Sequence, residues 1–361
     1  MGKVVFQKWQ LRKLVFWFLL LTAVSTVYLS CAAWSLYADK TAEDSYWTAA
    51  MQEGPDDPAA VAALSKDATR VTTGVYVESL KAIDMKNSNY RLVAKVWFRW
   101  QGDDELDMVN NFHVYNGTTN KLSVLRDEVI DGEHYQLCTL DVTVFKNFWT
   151  KRFPLESHQL RFYIEPDEAI DRVVLAGDYE NCSVNPSLSI AGYEFKRFAN
   201  SVYTNEYATT YGEPGVTRGM VTSEFMTQIE LNRSGFGLYA KCFIALVGTT
   251  LWVFITLFLC TFHRVDPLGM IPAALFGTVT NIMVGANLLP DALEIGLLEY
   301  VNVWGILTIV AGALAIININ RIRNKYNDNK FATLYGRIIT FSLVFVVLLG
   351  HILLPLAAYL W

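Results

Sequence analysis

The sequence predicts a membrane protein in which a β-sandwich domain precedes a four-helix transmembrane bundle, with an additional transmembrane helix near the N-terminus. Apolar residues make up 52% of the 361 residues although 18% are charged, so the two kinds must occupy separate segments. Long apolar runs lie at both ends of the chain, and the segment between them alternates polar with apolar or aromatic residues.

Five segments approach the roughly 20 apolar residues that a helix needs to cross a bilayer. They are 14–37, 236–262, 268–289, 301–319 and 338–361. Trp and Tyr cluster at several of their ends, where these rings suit the headgroup layer. We therefore expect a cytosolic N-terminus (1–13), an N-terminal transmembrane helix (14–37), a linker with short helices (38–70), a β-sandwich (71–235) and a four-helix domain (236–361).

The first apolar segment has two interpretations. A basic start, an apolar core and the small residues Ser30-Cys31-Ala32-Ala33 would also suit a cleaved signal peptide. The apolar run is somewhat long for a signal peptide, so we favour an uncleaved anchor.

The basic residues predict the orientation in the membrane. They lie before the first apolar segment, between the second and third, and between the fourth and fifth: Lys3, Lys8, Arg12, Lys13; Arg264; Arg321, Arg323, Lys325, Lys330, Arg337. If every segment spans, all of them lie on one side, which the positive-inside rule makes cytoplasmic. We expect a multi-pass protein of the cell membrane with its β domain in the periplasm or outside the cell.

Charge is also divided along the chain. Residues 41–235 hold 29 acidic against 18 basic residues, whereas the rest of the chain holds 6 acidic and 12 basic residues. An acidic water-soluble domain joined to a basic membrane part argues against a nucleic-acid partner and favours the attraction of cations.

Short segments of alternating polarity predict the sandwich. The segments are 75–80, 90–100, 112–115, 135–144, 160–164, 173–175, 193–198 and 225–231. The turn-prone Asn87-Ser88-Asn89 joins the first two of them into a two-stranded ribbon.

Several motifs follow one another in an informative order. Phe153-Pro154-Leu155-Glu156 comes about eighty residues before the second apolar run, after the ribbon that ends at Trp100, and Asn287-Leu288-Leu289-Pro290 ends the third run. In this order they resemble the pentameric ligand-gated ion channel (Cys-loop receptor) superfamily, over residues 71–361. The chain is similar to a divergent, prokaryotic-type member with an extra N-terminal transmembrane helix.

The resemblance implies a homopentamer in the lipid bilayer that conducts inorganic ions along the helix 267–289. One helical stripe would line the pore: Asp266, Gly269, Ala273, Phe276, Thr280, Met283 and Asn287. A ring of Asp266 carboxylates would favour cations, and a Phe276 girdle would gate by dewetting. Alternatively, Phe276 and Met283 only pack, Asp266 only caps the helix, and Pro272 kinks it.

The resemblance also assigns a coupling role to the loop around Pro154. Phe153, Pro154 and Glu156 would insert into the top of the helical bundle, and Arg233, just before the first channel helix, is the expected partner of Glu156. The alternative is an ordinary surface turn with a solvated Glu156.

A ligand would bind near the aromatic residues of the late sandwich. Tyr193, Tyr203, Tyr207 and Tyr211 surround a loop over 203–218, which in the family covers the ligand site, so a cationic ligand held by aromatic faces is one prediction. Aromatic residues that merely fill the sandwich are the other. The ligand itself, a small molecule or a protein, stays unknown.

Departures from the family keep a second function open. No pair of cysteines brackets Phe153, so Cys138 and Cys182 either bridge elsewhere or stay free. Only 52 residues separate Trp100 from Phe153, which leaves little room for the usual ligand loops. A non-conducting, membrane-anchored sensor or interaction protein on the same scaffold is the alternative to a channel.

Enzymatic chemistry finds little support in the sequence. The five histidines lack metal-ligand spacing, and neither a phosphate-binding glycine loop nor a nucleophile elbow occurs. We therefore expect no catalytic residue, no metal and no cofactor.

Overall fold

The computed structural model describes residues 7–52, 62–212, 214, 219–289 and 295–359. These residues form two compact units. The helical unit takes its described residues from Met1–Glu43, Thr150–Glu156 and Gly235–Trp361. The sheet unit takes them from Asp44–Trp149 and Ser157–Ser234.

Five helices are described, and a 3-10 turn at Leu268–Met270 precedes the third. They are α1 (Lys8–Gln52), α2 (Gly237–Phe262), α3 (Ile271–Leu288), α4 (Leu297–Lys325) and α5 (Asn329–Tyr359). Within the described residues, α1, α2, α4 and α5 are long and apolar enough to cross a membrane, whereas α3 belongs to a shorter apolar segment, Leu268–Met283. The sequence predicted five full-length spans. Four described helices have that length, and the third predicted span is shorter.

The first helix is longer than the sequence indicated. It begins at Lys8 and continues past Tyr37 to Gln52, so the first part of the predicted linker 38–70 is helical. No Gly or Pro interrupts residues 38–52, and the first such residues are Gly54 and Pro55. The predicted break at Gly54–Pro58 lies outside the described residues.

Aromatic side chains attach α1 to the rest of the helical unit. Trp9 stacks on Tyr326 with ring centroids 4.8 Å apart, and Tyr28 stacks on Trp304 at 5.6 Å. The Tyr28 hydroxyl donates a hydrogen bond to the Tyr300 carbonyl oxygen at 2.6 Å. Only 11% of the most apolar window of α1 is buried, so most of this helix is free to face lipid.

The start of α3 corrects one expectation. Pro272 is the second residue of α3, and a 3-10 turn precedes it. The first turn of a helix tolerates proline because the missing N–H would have no partner there. Pro272 is therefore not in the interior of the helix, and the prediction that it kinks the helix was wrong.

Ten strands form two sheets. The strands are β1 (Thr69–Asp84), β2 (Asn89–Trp100), β3 (Phe112–Val114), β4 (Gly117–Ile130), β5 (Glu133–Phe145), β6 (Ser157–Pro166), β7 (Val173–Gly177), β8 (Ser183–Val184), β9 (Tyr193–Glu206) and β10 (Val221–Arg233). The first sheet runs in the order β4-β5-β2-β1-β7 with β8 on β1, and the second in the order β3-β6-β10-β9. Seven of the eight predicted segments lie wholly in strands, and the eighth, 112–115, extends one residue past β3, so the prediction of these strands is confirmed.

The two sheets share one apolar core. Alternate residues of β2 are buried, as the period of two in its sequence predicts. Phe98 on β2 belongs to the same core as Phe162 on β6 and Phe225 on β10, and all three are fully buried. The sheet unit is therefore sandwich-like, with side chains from both sheets meeting between them.

Strands β4 and β8 were not predicted. β4 is an edge strand that pairs only with β5, and most of its residues are exposed. Its sequence therefore lacks the alternation of a half-buried strand. β8 has only two residues.

The cysteine question is also settled by the structure. Cys138 and Cys182 are both free, and Cys138 lies in the sandwich core. The Cys182 Sγ accepts a hydrogen bond from the Val75 N–H at 3.2 Å.

We expect Gly350→Ala to destabilise the helical unit. A methyl group there would overlap the indole ring of Trp304, whose Nε1 donates to the Val347 carbonyl oxygen at 3.3 Å. Overpacking of this kind costs roughly 1–3 kcal/mol. Thermal unfolding in detergent measures it, with Gly248→Ala on α2 as the matched control because nothing lies near its Cβ position. Equal melting temperatures for the two variants would contradict the packing argument.

Candidate functional site

The predicted pore stripe lies on one exposed side of the segment formed by the 3-10 turn and α3. Asp266, Gly269, Ala273, Phe276, Thr280, Met283 and Asn287 are all exposed in the single chain. The Phe276 side chain is 75% exposed and that of Met283 is 62% exposed. Leu275, one residue from the stripe, is also exposed, whereas Gly277 packs against Thr249.

The opposite side of α3 is fixed by polar contacts with its neighbours. The Asn281 Nδ2 donates to Asn302 Oδ1 on α4 at 2.6 Å. The Thr249 hydroxyl on α2 donates to the Ala274 carbonyl oxygen at 3.2 Å. Hydrogen bonds between helices orient them where water is scarce. The sequence interpretation missed Asn281 and Asn302, although their buried amides determine which face of α3 turns outward.

Two stripe residues make local bonds. The Asp266 carboxylate accepts a hydrogen bond from the N–H of Leu268, the first residue of the 3-10 turn, at 3.2 Å. The Thr280 hydroxyl donates to the Phe276 carbonyl oxygen at 2.9 Å. The Asp266 carboxylate is at the same time exposed, so the roles of pore residue and capping residue both stay predictions.

The loop around Pro154 belongs to the helical unit, although it follows β5 and precedes β6 in the chain. Phe153, Leu155 and Glu156 are buried, which excludes a solvated surface turn. The Leu297 N–H, at the start of α4, donates to the Lys151 carbonyl oxygen at 2.7 Å. Gly296 lies so close to the Lys151 backbone that a Cβ would clash. This loop therefore contacts the beginning of α4.

A buried ionic cluster surrounds Arg152 in this loop. Its guanidinium Nε lies 3.5 Å from Asp39 Oδ2 of α1, and Glu43, one turn further along α1, bonds to the same guanidinium. Burial lowers the pKa of Arg152, while the charges of Asp39 and Glu156 oppose that change. The Arg152 guanidinium therefore lies among three carboxylates away from water. The sequence interpretation missed Arg152, Asp39 and Glu43; the i, i+4 spacing of the two acids within an unbroken helix was the available signal.

Arg233 lies in the sheet unit, where its guanidinium is 3.9 Å from the centroid of the Tyr193 ring. The His158 ring lies 5.5 Å from the same tyrosine. The Tyr193 ring therefore contacts the guanidinium of Arg233, the last residue of β10. The pairing of Glu156 with Arg233 stays a prediction.

A second cluster in the sheet unit combines tyrosines with carboxylates. The Tyr207 hydroxyl donates to Glu165 Oε1 at 2.6 Å, and the Tyr207 ring lies 6.3 Å from Tyr115 and 5.7 Å from Tyr211. Glu224 hydrogen-bonds Glu165, and both carboxyl groups are buried. Burial and this contact raise the pKa of Glu224 to about 8. Glu224 is therefore largely protonated at neutral pH.

The four predicted ligand tyrosines do not form one site. Tyr193 and Tyr203 are ten residues apart on β9, which separates them by about 33 Å at the rise of a strand. Tyr203 pairs with Glu224 across the sheet, while Tyr193 pairs with Arg233 at the other end of β9. Tyr207 and Tyr211 are brought together, and Tyr115, Glu165 and Glu224 join them. These three were missed because only the strand register places them together.

Trp47, near the end of α1, contacts two basic residues of the sheet unit. Trp47 lies between Lys146 and Arg161, with the Lys146 Nζ 4.5 Å and the Arg161 Cζ 4.3 Å from its ring. The Arg161 Nε donates to Gln228 Oε1 at 2.6 Å. Burial lowers the pKa of Lys146 to about 7. Cation–π contacts of this kind attach the segment from Asp44 onward to the sheet unit.

Aromatic faces and carboxyl groups lie side by side in the sheet unit. The exposed rings of Tyr115 and Tyr211, next to a partly protonated carboxyl pair, suit an organic cation. Among the described residues, no group of three or more His, Cys, Asp or Glu side chains could hold a metal ion. A comparison with models of known protein families gave no match, and neither did a comparison with curated protein sequences.

Replacing Glu224 by Gln should change how stability depends on pH. A carboxyl group whose folded pKa is raised from 4.5 to about 8 makes the protein lose stability as the pH rises through that window. The loss is at most about 1.4 kcal/mol per pH unit. Glu224→Gln keeps a hydrogen-bond donor for Glu165 but cannot ionise, so its melting temperature should fall less between pH 5 and 8. Glu128→Gln, on the exposed strand β4, is the control and should follow the wild type.

Replacing Arg152 by Gln should be severely destabilising. The substitution removes the guanidinium from its buried ion pairs with Asp39 and Glu43, and breaking a buried ion pair from one side costs roughly 3–5 kcal/mol. Arg126→Gln removes an exposed ion pair, Arg126–Glu128 at 3.8 Å, and should cost less than about 1 kcal/mol. Thermal unfolding of both variants measures the difference. A similar effect for the two would mean that the cluster around Arg152 is solvated.

Proposed function

We propose that this protein is a homopentameric, ligand-gated ion channel of the Cys-loop receptor type, which conducts cations along α3 under the control of its β-sandwich. The proposal includes a multi-pass location in the cell membrane, with the N-terminus in the cytoplasm and the sheet unit in the periplasm or outside the cell.

The observation that carries the proposal is the placement of the loop Thr150–Glu156. The flanking strands β5 and β6 belong to the sheet unit, whereas the loop itself packs in the helical unit and bonds to the first residue of α4. A movement of these strands would therefore act directly on the chain segment that follows α3. This is the mechanical connection that a ligand-gated channel needs.

The orientation of α3 supports a conducting pathway. Its buried side is held by Asn302 and Thr249, so the side that carries Phe276 and Met283 is free to face a common axis. An apolar ring in such a position can exclude water until the helices move apart. Asp266 would supply a ring of negative charge at the cytoplasmic mouth.

The aromatic cluster of the sheet unit supports a cationic ligand. Tyr115, Tyr207 and Tyr211 offer ring faces, and Glu165 with Glu224 offers a carboxyl pair that can release its proton when a cation arrives. A small organic amine satisfies both features. Its binding would act on β9 and β10, and β10 ends at Arg233, four residues before α2.

A non-conducting sensor on the same scaffold is the second candidate. The buried cluster of Arg152 with Asp39 and Glu43 ties the loop to α1, a helix that channels of this type do not need. Such a connection would suit a protein that passes a signal to a partner through α1.

We expect ion flux to depend on the stripe. The purified protein is reconstituted in liposomes, and cation flux is measured while pH and small amines are varied. Asp266→Asn should lower the flux by about tenfold at low salt and by less at high salt. Phe276→Ala should raise the resting flux because it widens the apolar ring.

The matched control is Phe345→Ala, which removes an exposed ring from α5 instead of α3 and should leave the flux unchanged. Absence of flux in all conditions, including with Phe276→Ala, would contradict conduction and favour the sensor. An assembly with a subunit number other than five, measured by native mass spectrometry, would contradict the pentamer.

A further inference from the structure

A cavity of about 240 Å³ lies within the helical unit between α1, α4 and α5. Trp17, Leu21 and Ser25 line it from α1, Trp304 and Ala311 from α4, and Leu343 from α5. Because α1 forms one wall, the cavity exists only when that helix is in place. It is distinct from the stripe on α3 and from the tyrosine cluster.

The cavity wall favours an apolar occupant. The Thr308 hydroxyl donates to the Trp304 carbonyl oxygen at 2.9 Å, and the Trp304 Nε1 donates to the Val347 carbonyl oxygen. These two polar groups therefore have backbone partners and do not require a polar ligand. Apolar cavities of this kind stay free of water and accept apolar molecules.

The cavity opens toward the outside of the helical unit. Leu20 of α1 and Val310 and Leu314 of α4 line it and are at the same time exposed large apolar side chains. All three helices are long and apolar enough to cross a membrane, and these residues lie well inside their spans. Lipid hydrocarbon is therefore the medium that meets the opening.

We propose that this cavity is a binding site for one acyl chain of a bilayer lipid. The acyl chain enters the cavity beside Leu20 and Leu314 and fills the space next to Trp304 and Ala311. An empty cavity would leave its lining without dispersion contacts, and a flexible hydrocarbon restores them. The bound lipid then forms part of the contact between α1 and the other helices. This inference requires the membrane location but does not depend on ion conduction.

Photolabelling tests the site in the full-length protein. The protein is reconstituted with phosphatidylcholine that carries a diazirine in the middle of one acyl chain, irradiated and digested, and the labelled residues are mapped by mass spectrometry. Trp304 and Thr308 are each only 3% exposed, so they should be labelled only if a chain enters the cavity. Ile317, an exposed residue of α4 outside the cavity, should be labelled in every case and serves as the reference.

Ala311→Phe fills the cavity and should reduce labelling of Trp304 and Thr308 to background while the Ile317 label persists. Val303→Phe adds a ring to an exposed position of the same helix and should leave all labels unchanged. Ala311→Leu serves the same purpose as Ala311→Phe if the larger ring prevents folding. Labels confined to exposed residues in the wild type would overturn the inference, as would a Trp304 label that persists in both filled variants.

Discussion

The buried guanidinium of Arg152 holds together two segments of the helical unit, the loop Thr150–Glu156 and the helix α1. Arg152 stands in the loop before β6, and its charge is matched by Asp39 and Glu43 of α1 and by Glu156 of its own loop. Taking four ionisable groups out of water is costly, so the cluster is stable only when all its members are in place. The position of the loop Thr150–Glu156, and with it the contact to the start of α4, depends on this arrangement.

The orientation of α3 depends on a different kind of contact. Asn281 and Asn302 form a hydrogen bond between two apolar helices, where an unpaired amide would be expensive. This bond prevents α3 from rotating and keeps Phe276 and Met283 on the outer side. Ion pairs therefore hold the loop, and a pair of amides holds the helix.

Much of the architecture could be predicted from local patterns. Alternation identified eight strands, and hydropathy located the apolar helices. The extension of α1 was missed because the acidic, small residues after Tyr37 resemble a linker, although their helical propensity is adequate and no breaker occurs before Gly54. β4 was missed because neither face of this edge strand is buried, so its sequence does not alternate between polar and apolar residues.

The site was harder to predict than the fold, since its residues meet only through register and packing. The pairing of β6, β9 and β10 places Glu165 and Glu224 side by side. The sequence of neither strand alone indicates that the two carboxyl groups are neighbours. The same holds for Arg152 and Asp39, which are more than a hundred positions apart. Helical periodicity, by contrast, is a local feature, and the residues that it placed on one stripe are all exposed in the single chain.

The exposed edge strand β4 has a consequence for contacts between separate copies of the sheet unit. Unpaired N–H and C=O groups along such an edge invite strands of other chains to add to the sheet. β4 carries Lys121, Arg126, Asp127 and Glu128 in a largely exposed row, and charges of both signs oppose the addition of a neighbouring strand. The charged row therefore protects the sheet unit from joining other copies edge to edge.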